Sequence, residues 1–189
     1  MIEKFERVSV VKHILLPLVF ISLGAFVINS FSGTPTRASE VPPDPVFDVI
    51  FDMTEIGCLS KNIYFEAGVE ETAGRVAVAM VTINRVVDEK FPNTICEVVR
   101  QSKRDKKGNA IRNKCQFSWY CDGKSDAPYQ GENWQQSQNL AWKIYELYKE
   151  NKLLDISDGA LYYHATYVTP YWAESMKRTT KIGTHIFYR

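Results

Sequence analysis

The chain has 189 residues, and its hydrophobic content of 45% and charged content of 24% are close to the averages of globular proteins. Its 23 basic and 22 acidic residues leave a formal net charge of +1, which excludes the concentrated positive charge typical of nucleic-acid-binding proteins. Once an N-terminal hydrophobic segment and a short linker are set aside, about 140 residues remain, enough for one domain with its own hydrophobic core.

The N-terminal segment, residues 1–31, combines a basic start with an apolar stretch from Ile14 to Phe31. A secretory signal peptide, cleaved near Thr36-Arg37-Ala38, is one interpretation. An uncleaved membrane anchor is the other, because the stretch just reaches the roughly 17–25 apolar residues that a transmembrane helix needs. A buried core helix is the least favoured, since the stretch has no polar face. Both favoured interpretations place the rest of the chain outside the cytoplasm, in the periplasm or cell envelope.

A linker and a first helix follow this segment. Residues 32–46 are rich in proline, serine and threonine, which predicts an extended linker before a domain at residues 47–189. From Phe47 onwards, apolar residues recur at helical spacing. The first helix should end near Glu66, because Gly68 is a natural C-terminal stop.

Two further helices and a loop are predicted in the first half of the domain. Thr72–Val87 is apolar almost all round, which is typical of a helix buried in the middle of a domain. Phe91–Thr94 breaks the chain, and a short helix around Val98 follows. The stretch from Gln101 to Lys114 is charged and shows no period, so it predicts a loop, and its basic run from Lys103 to Lys107 is interpreted as solvated.

The second half of the domain changes from helix to strand. Gln116–Tyr120 is compatible with a short strand or a tight turn, and Glu132–Asn151 is an amphipathic helix. Ala160–Ala165 is aromatic and strand-like. A two-residue hairpin turn at Ile182-Gly183 is flanked by the last two strand candidates, which are Lys177–Lys181 and Thr184–Tyr188. Helices first and a small antiparallel sheet last predict an α+β domain that is mainly helical.

The four cysteines all lie in the part that is expected to be exported: Cys58, Cys96, Cys115 and Cys121. Four cysteines allow three pairings, and nearness along the chain favours Cys115 with Cys121 and Cys58 with Cys96. Zinc is the rival interpretation, but Cys-x5-Cys without a Cys-x2-Cys partner is poor zinc spacing. Two disulfides in an oxidising compartment are therefore expected.

Glu66 is the residue whose surroundings best suit acid catalysis. It stands at the predicted C-terminal end of a helix, where the partial negative charge of the helix disfavours a carboxylate. The aromatic neighbours Tyr64 and Phe65 would desolvate the carboxyl and raise its pKa toward the range that a general acid needs. Judged by spacing alone, the simpler interpretation of Glu66 is an ordinary surface glutamate.

No second catalytic group stands out from the sequence. The carboxylates considered as a partner, none of them compelling, are Glu70, Glu71 and Asp122. Of the 3 histidines, His13 lies in the N-terminal segment, and a metal site built on His164 and His185 lacks a third ligand. The local patterns of a serine or cysteine triad are also missing. Neither a metal nor a cofactor is predicted.

Several motifs follow one another in order along the domain. They are Asn62-Ile-Tyr-Phe-Glu-Ala-Gly-Val-Glu70, Gly74-Arg-Val-Ala-Val-Ala-Met-Val-Thr-Ile-Asn-Arg85, Phe91-Pro-Asn-Thr-Ile-Cys96, Cys115-Gln-Phe-Ser-Trp-Tyr-Cys-Asp-Gly123, Ala160-Leu-Tyr-Tyr-His-Ala-Thr-Tyr-Val-Thr-Pro-Tyr-Trp172 and Ile182-Gly-Thr-His-Ile-Phe-Tyr-Arg189. With them, the stretch from Cys58 to Arg189 resembles the SleB/CwlJ-type cell-wall hydrolases, a family named for spore-cortex-lytic enzymes. Motifs in this number and order argue against a chance similarity.

The resemblance implies a lysozyme-like α+β fold that cuts the glycan strand of peptidoglycan between N-acetylmuramic acid and N-acetylglucosamine. The family's catalytic glutamate, the first of its Glu-Ala-Arg-Gly-Glu motif, corresponds to Glu66. This chain has Gly68 and Val69 where the family usually has Arg-Gly, a departure that bears on the turn after the helix. Polar and aromatic residues inside the matching motifs are the candidates for substrate binding: Glu70, Asn84, Gln116, Ser118, Tyr163, His164 and Tyr167.

The characterised spore enzymes of this family are lytic transglycosylases, for which one carboxylate suffices. Glu66 would protonate the glycosidic oxygen and then take the proton of the muramyl C6 hydroxyl, which closes a 1,6-anhydro ring. A hydrolytic muramidase is the alternative and would need a second carboxylate. A non-catalytic peptidoglycan-binding module is a further alternative, and an amidase lacks the metal or nucleophile it would need. The expected partners of the chain, a predicted monomer, are peptidoglycan and, through an uncleaved N-terminal segment, the membrane.

Overall fold

The structure is a computed structural model that describes residues 45–189. The predicted signal or anchor at residues 1–31, its candidate cleavage site at residues 36–38 and most of the linker at residues 32–46 lie outside the described residues. The end of that linker belongs to the first helix, which begins at Pro45. Among the helices of residues 45–189, none combines the length and the hydrophobicity that a membrane crossing requires.

Four helices form most of the domain, and their bounds follow the predicted ones closely. They are α1 (Pro45–Ala67), α2 (Thr72–Val87), α3 (Ile95–Val99) and α4 (Glu132–Lys149). The N–H of Gly68 donates to the Tyr64 carbonyl at 3.1 Å and ends α1 as expected. A side chain at position 68 would collide with that carbonyl oxygen, so this close approach requires glycine.

The hydrophobic core lies on both faces of α2. On one face, Ala79 packs in a cluster with Leu59 and Ile63 of α1, and all three are fully buried. On another face, Val81 packs against Phe187 from the C-terminal part of the chain, and both are again fully buried. Burial on several sides explains why the sequence of α2 is apolar almost all round.

Two short strands, β1 (Ser102–Arg104) and β2 (Ala110–Cys115), form an antiparallel hairpin. The prediction of a loop from Gln101 to Lys114 was therefore wrong. The hairpin has no alternating apolar pattern, because both of its faces are largely exposed. Its turn depends on polar contacts instead: the Asp105 carboxylate accepts a hydrogen bond from the Asn109 N–H at 2.9 Å.

The C-terminal part of the domain forms the predicted small sheet. For Gln116–Tyr120 the sequence was compatible with a strand or a tight turn. The structure has a 3-10 turn at Ser118–Cys121, so the tight turn is correct. The sheet is antiparallel, its strand order is β3-β5-β4, and its strands are β3 (Tyr162–Ala165), β4 (Arg178–Ile182) and β5 (His185–Tyr188). Gly183, at φ 58°, and Thr184 make the β4–β5 turn, one position later than predicted. The α+β prediction is confirmed.

Two disulfides link elements of the domain, in the predicted pairing. Cys58–Cys96 joins α1 to α3. Cys115–Cys121 joins the end of β2 to the 3-10 turn that follows it. Together the two disulfides use all four cysteines, so none is free to bind zinc.

Candidate active site

Glu66 lies in the last turn of α1, within hydrogen-bonding distance of the sheet. The Tyr163 hydroxyl of β3 donates to Glu66 Oε2 at 2.8 Å. Burial raises the pKa of the Glu66 carboxyl, and the Tyr163 hydrogen bond and the charge of Arg85 lower it by less, so the pKa lies above its ordinary value. Burial and the nearby carboxylate raise the pKa of Tyr163 well above its ordinary value, so its hydroxyl stays protonated and remains a donor.

Arg85 of α2 is a buried cation close to this acid. Its guanidinium carbon lies 5.2, 5.1 and 5.6 Å from the ring centroids of Phe91, Phe117 and Tyr162. Cation–π contacts of this kind hold a positive charge in an apolar setting. Its Nε donates to the Leu161 carbonyl at 2.7 Å, whereas Nη1 makes no hydrogen bond within residues 45–189. The buried cation favours the ionised form of the acid and opposes the effect of burial on it.

Phe65, which precedes Glu66 in α1, and Trp119 form a stacked aromatic pair. Their ring centroids are 4.7 Å apart and their planes are inclined by 21°. The Trp119 indole N–H donates to Asn62 Oδ1 at 3.0 Å, and Asn62 Nδ2 donates to Thr82 Oγ1 at 3.0 Å. Asn62 is fully buried, so this network fixes the indole against the end of α1. An aromatic face beside a carboxyl is suited to a sugar ring, which has both apolar faces and polar edges.

The turn after α1 is held by Arg75 of α2. Its Nη2 donates to the Gly68 carbonyl at 2.8 Å and its Nε to the Glu70 carbonyl at 2.9 Å. Carbonyl groups at the C-terminal end of a helix lack intrahelical partners, and a guanidinium satisfies two of them at once. The turn is therefore well defined although Gly68 and Val69 depart from the family's usual Arg-Gly.

Glu70 is held by the protein itself rather than pointing freely into a cleft. Its carboxylate accepts hydrogen bonds from the Thr184 N–H, at 3.2 Å, and from the Thr184 hydroxyl. Burial raises the pKa of Glu70, but the two hydrogen bonds from Thr184 outweigh it, so the pKa lies below its ordinary value. A side chain at Gly183 would collide with this carboxylate, so glycine is required there as well. Glu70 thus joins the turn after α1 to the β4–β5 turn.

The structure brings one of the other predicted site residues, Tyr163, to Glu66. Asn84 Nδ2 donates instead to Asp155, Ser157 and the Ala160 carbonyl, at 3.0, 3.2 and 3.1 Å. His164 Nε2 lies 2.9 Å from the hydroxyl of Tyr188. Gln116, Ser118 and Tyr167 are exposed to solvent. Substrate binding by these residues stays a prediction.

Two residues of the site were not predicted from the sequence: Asn62 and Arg85. Arg85 is the one cation in the second half of α2, and Asn62 is a polar residue between buried apolar positions of α1. Both are visible as polar exceptions in apolar helices, a signal of buried polar networks. Within residues 45–189, no group of three or more His, Cys, Asp or Glu side chains is placed to hold a metal ion.

Comparisons with known proteins agree on one family. A family model described as cell wall hydrolase matches residues 69–188, more than half of the chain, and its match begins just after Glu66. The catalytic domain of the germination-specific lytic transglycosylase SleB from Bacillus anthracis is 26% identical, with 71% of this chain and 93% of that chain covered and a TM-score of 0.52. The catalytic domain of the Bacillus cereus SleB protein is 25% identical, with 72% and 91% covered and a TM-score of 0.52. Among curated proteins none matches this chain.

Proposed function

This chain belongs to the cell wall hydrolase family, and from that membership we propose that it is a lytic transglycosylase that cuts peptidoglycan between N-acetylmuramic acid and N-acetylglucosamine. Membership and the likeness to two SleB catalytic domains together make it a peptidoglycan-cleaving enzyme. The proposal adds the type of reaction, the 1,6-anhydromuramyl product and the residues that act.

The observation that carries the proposal is the hydrogen bond from Tyr163 to the half-buried carboxyl of Glu66, whose pKa is raised. Protonated Glu66 donates its proton to the glycosidic oxygen, and the bond from that oxygen to the anomeric carbon breaks. The Glu66 carboxylate then accepts the proton of the muramyl C6 hydroxyl as this oxygen bonds to the anomeric carbon. Tyr163 donates to Glu66 Oε2, which leaves Oε1 without a hydrogen bond within residues 45–189 and available for the proton that moves.

The surroundings of Glu66 favour a reaction that needs one carboxylate. A hydrolytic muramidase would use a second carboxylate, about 6.5–9.5 Å away in an inverting enzyme and about 5–5.5 Å away in a retaining one. Glu70 is the next acidic residue along the chain, and its two carboxylate oxygens are engaged by Thr184. A lytic transglycosylase needs no such partner because the nucleophile belongs to the substrate. The muramidase is therefore the second candidate, and a non-catalytic binding module, which has no use for a buried acid, is the third.

We propose that the enzyme acts in the periplasm or elsewhere in the cell envelope. Two disulfides support an oxidising compartment, because thiols are kept reduced in the cytosol. The apolar stretch from Ile14 to Phe31 would either direct export and be removed or keep the enzyme at the membrane. The substrate is a polymer in the same compartment, so a monomer suffices for the reaction.

Mass spectrometry of the fragments released from purified sacculi tests the reaction type. The full chain is compared with Glu66→Gln, which keeps the size of the side chain and removes the transferable proton. We expect 1,6-anhydromuramyl ends from the wild type and no fragments from the variant. Reducing muramyl ends without the anhydro form would instead establish a muramidase, and binding without release by both proteins would establish a binding module.

A further inference from the structure

Two neighbouring cavities, both lined by Arg100, together make one depression of the surface. The first, of about 300 Å³, begins at Trp119 and is also lined by Lys61. The second, of about 440 Å³, lies at the base of the β1–β2 hairpin and is lined by Gln101, Ser102 and Arg104. We call this depression the Arg100 trough and define it by these residues: Lys61, Arg100, Gln101, Ser102, Arg104 and Trp119.

The Arg100 trough carries unused hydrogen-bonding capacity. Gln101 Oε1 and Ser102 Oγ are buried and make no hydrogen bond within residues 45–189. Native proteins rarely leave buried polar atoms unpaired, so such a pair of atoms points to a ligand or ordered water. The amide oxygen accepts from an N–H group and the hydroxyl donates to an oxygen. A peptide offers both of these partners.

The charge of the trough selects for an acidic ligand. Between Arg100 and Lys114 the chain has seven basic residues and one acidic residue, although its net charge is only +1. Among the ion pairs of residues 45–189, none involves Lys61, Arg100 or Arg104. Two acidic residues, Glu97 and Asp126, also line these cavities, and the charge of Arg100 acts on Glu55. The three cations of the trough still outnumber the two carboxylates that line it, and a surplus of cations favours carboxylates, which guanidinium groups bind in a bidentate way. The basic run interpreted as solvated from the sequence therefore has a second use.

The trough is connected to the helix turn that carries Glu66 through Trp119, and it extends over the length of a short peptide. At its near end, Trp119 stacks on Phe65, the residue before Glu66. Cys58 lines the first cavity and Cys96 the second, and a disulfide joins them. Cys58 precedes Glu66 by eight residues of α1, which is about 12 Å along the helix. An extended peptide of four residues spans about 14 Å, so a peptide attached to a sugar at Glu66 reaches the hairpin.

We propose that the Arg100 trough binds the acidic peptide stem carried by the N-acetylmuramic acid residue at the cleavage site. This inference rests on the proposed function, since it assigns the part of peptidoglycan that lies next to the scissile bond. Arg100 and Arg104 bind stem carboxylates, and Gln101 Oε1 accepts from a stem amide. The trough makes the enzyme prefer glycan whose stems are intact.

Binding of the full-length Glu66→Gln chain to two insoluble probes tests the inference. The probes are intact sacculi and glycan strands whose stems have been removed with an amidase. We expect Arg100→Gln to weaken binding to intact sacculi about fivefold and the Arg100→Gln, Arg104→Gln pair about 25-fold, with no change on stripped glycan. Lys143→Gln, which removes an exposed charge on α4, is the matched control and should change neither. Far-ultraviolet circular dichroism establishes that each variant is folded.

Three results would overturn the inference. They are equal weakening on both probes, no weakening on either, and Arg100-dependent binding to vesicles of anionic phospholipid with none to sacculi. Cleavage of sacculi by the wild-type chain is measured in parallel. If the wild type does not cleave sacculi, the proposed function is contradicted. The binding measurements still show whether the chain prefers glycan that carries its peptide stems. If it cleaves and the Arg100 variants bind both probes normally, the stem site alone fails.

Discussion

The region around Glu66 differs from the Arg100 trough in whether its polar groups are hydrogen-bonded within the protein. Around Glu66, the side chains of Asn62, Trp119 and Tyr163 are each hydrogen-bonded to another side chain of the protein, with Arg85 Nη1 as the exception. In the trough, Gln101 Oε1 and Ser102 Oγ are buried without a hydrogen bond within the described residues, and cations outnumber the carboxylates that line the two cavities. A reaction requires catalytic side chains that the protein already holds in place. Recognition of a flexible chain requires hydrogen-bonding groups that the protein leaves unpaired for the ligand.

The two regions also differ in how the chain builds them. The Glu66–Tyr163 bond joins residues 97 positions apart. The trough draws most of its residues from one short segment, Arg100–Arg104, stabilised by a hairpin whose turn is local. We expect substitutions in the first region to affect rate and those in the second to affect binding. The following predictions test that division, beginning with the largest effect.

Glu66→Gln should reduce the cleavage rate about a thousandfold, because it removes the group that acts as acid and then as base. Affinity for sacculi should be unchanged, since Gln has nearly the same shape. Release of soluble fragments and a pelleting assay measure the two quantities. A variant that keeps more than a tenth of the wild-type rate would contradict the assignment of Glu66.

Removing each disulfide should destabilise the domain by different amounts. Replacing Cys58 and Cys96 by alanine opens a link over 38 residues and should cost about 4 kcal/mol of unfolding free energy. The same change at Cys115 and Cys121 opens a link over 6 residues and should cost about 2 kcal/mol. Urea denaturation under non-reducing conditions measures both. A larger loss of unfolding free energy on removal of Cys115–Cys121 than on removal of Cys58–Cys96 would contradict the chain-entropy argument.

Tyr163→Phe should lower the rate about tenfold and move its pH dependence. The hydrogen bond from Tyr163 lowers the pKa of Glu66, so its loss raises that pKa further. Because the reaction begins from protonated Glu66, the alkaline limb of kcat/KM should move to higher pH. Glu66 would then be a weaker acid and should protonate the glycosidic oxygen more slowly. Tyr129→Phe, at an exposed position, is the control and should change neither. An alkaline limb that moves to lower pH would be inconsistent with this hydrogen bond.

Glu70→Gln should cost about 1 kcal/mol of unfolding free energy at neutral pH, because the hydrogen bonds from Thr184 favour the ionised carboxylate. The pKa of Glu70 in the folded protein lies below its ordinary value of 4.5. Its contribution is therefore present above pH 4.5 and is lost as the pH falls through the lower folded value. Thermal unfolding of both proteins between pH 7 and pH 3 should show the difference shrinking on acidification. A difference that grows toward pH 3 would reverse the sign of the effect.

Local patterns were sufficient to predict the four helices and both disulfides. Gly68 ends α1 through a contact four residues back, and the burial of α2 is written in its continuous apolar sequence. The β1–β2 hairpin was missed because its two faces are in water, so no alternation marks it. Spacing alone did not distinguish Glu66 from an ordinary surface glutamate, and its assignment as the catalytic acid depended on the resemblance to a family.

The partners of Glu66 were beyond local patterns. Tyr163 was a candidate for substrate binding because it lies inside a matching motif, and its bond to Glu66 depends on how the sheet packs against α1. Arg85 contacts the ring of Phe117, and Trp119 donates a hydrogen bond to Asn62. In both pairs the two residues lie far apart in the sequence. Which side chains meet at a site is decided by tertiary packing, and periodicity carries no information about it.

The 97-residue span of the Glu66–Tyr163 bond also bears on when the enzyme becomes active. Helices form from contacts close along the chain and fold early, whereas contacts across long loops close late. A newly exported chain with its helices formed and its sheet undocked would have an acid without its donor. We expect refolding to restore the helical circular dichroism before it restores wall-cutting activity. The order of folding would then delay wall cutting until the sheet has docked on α1.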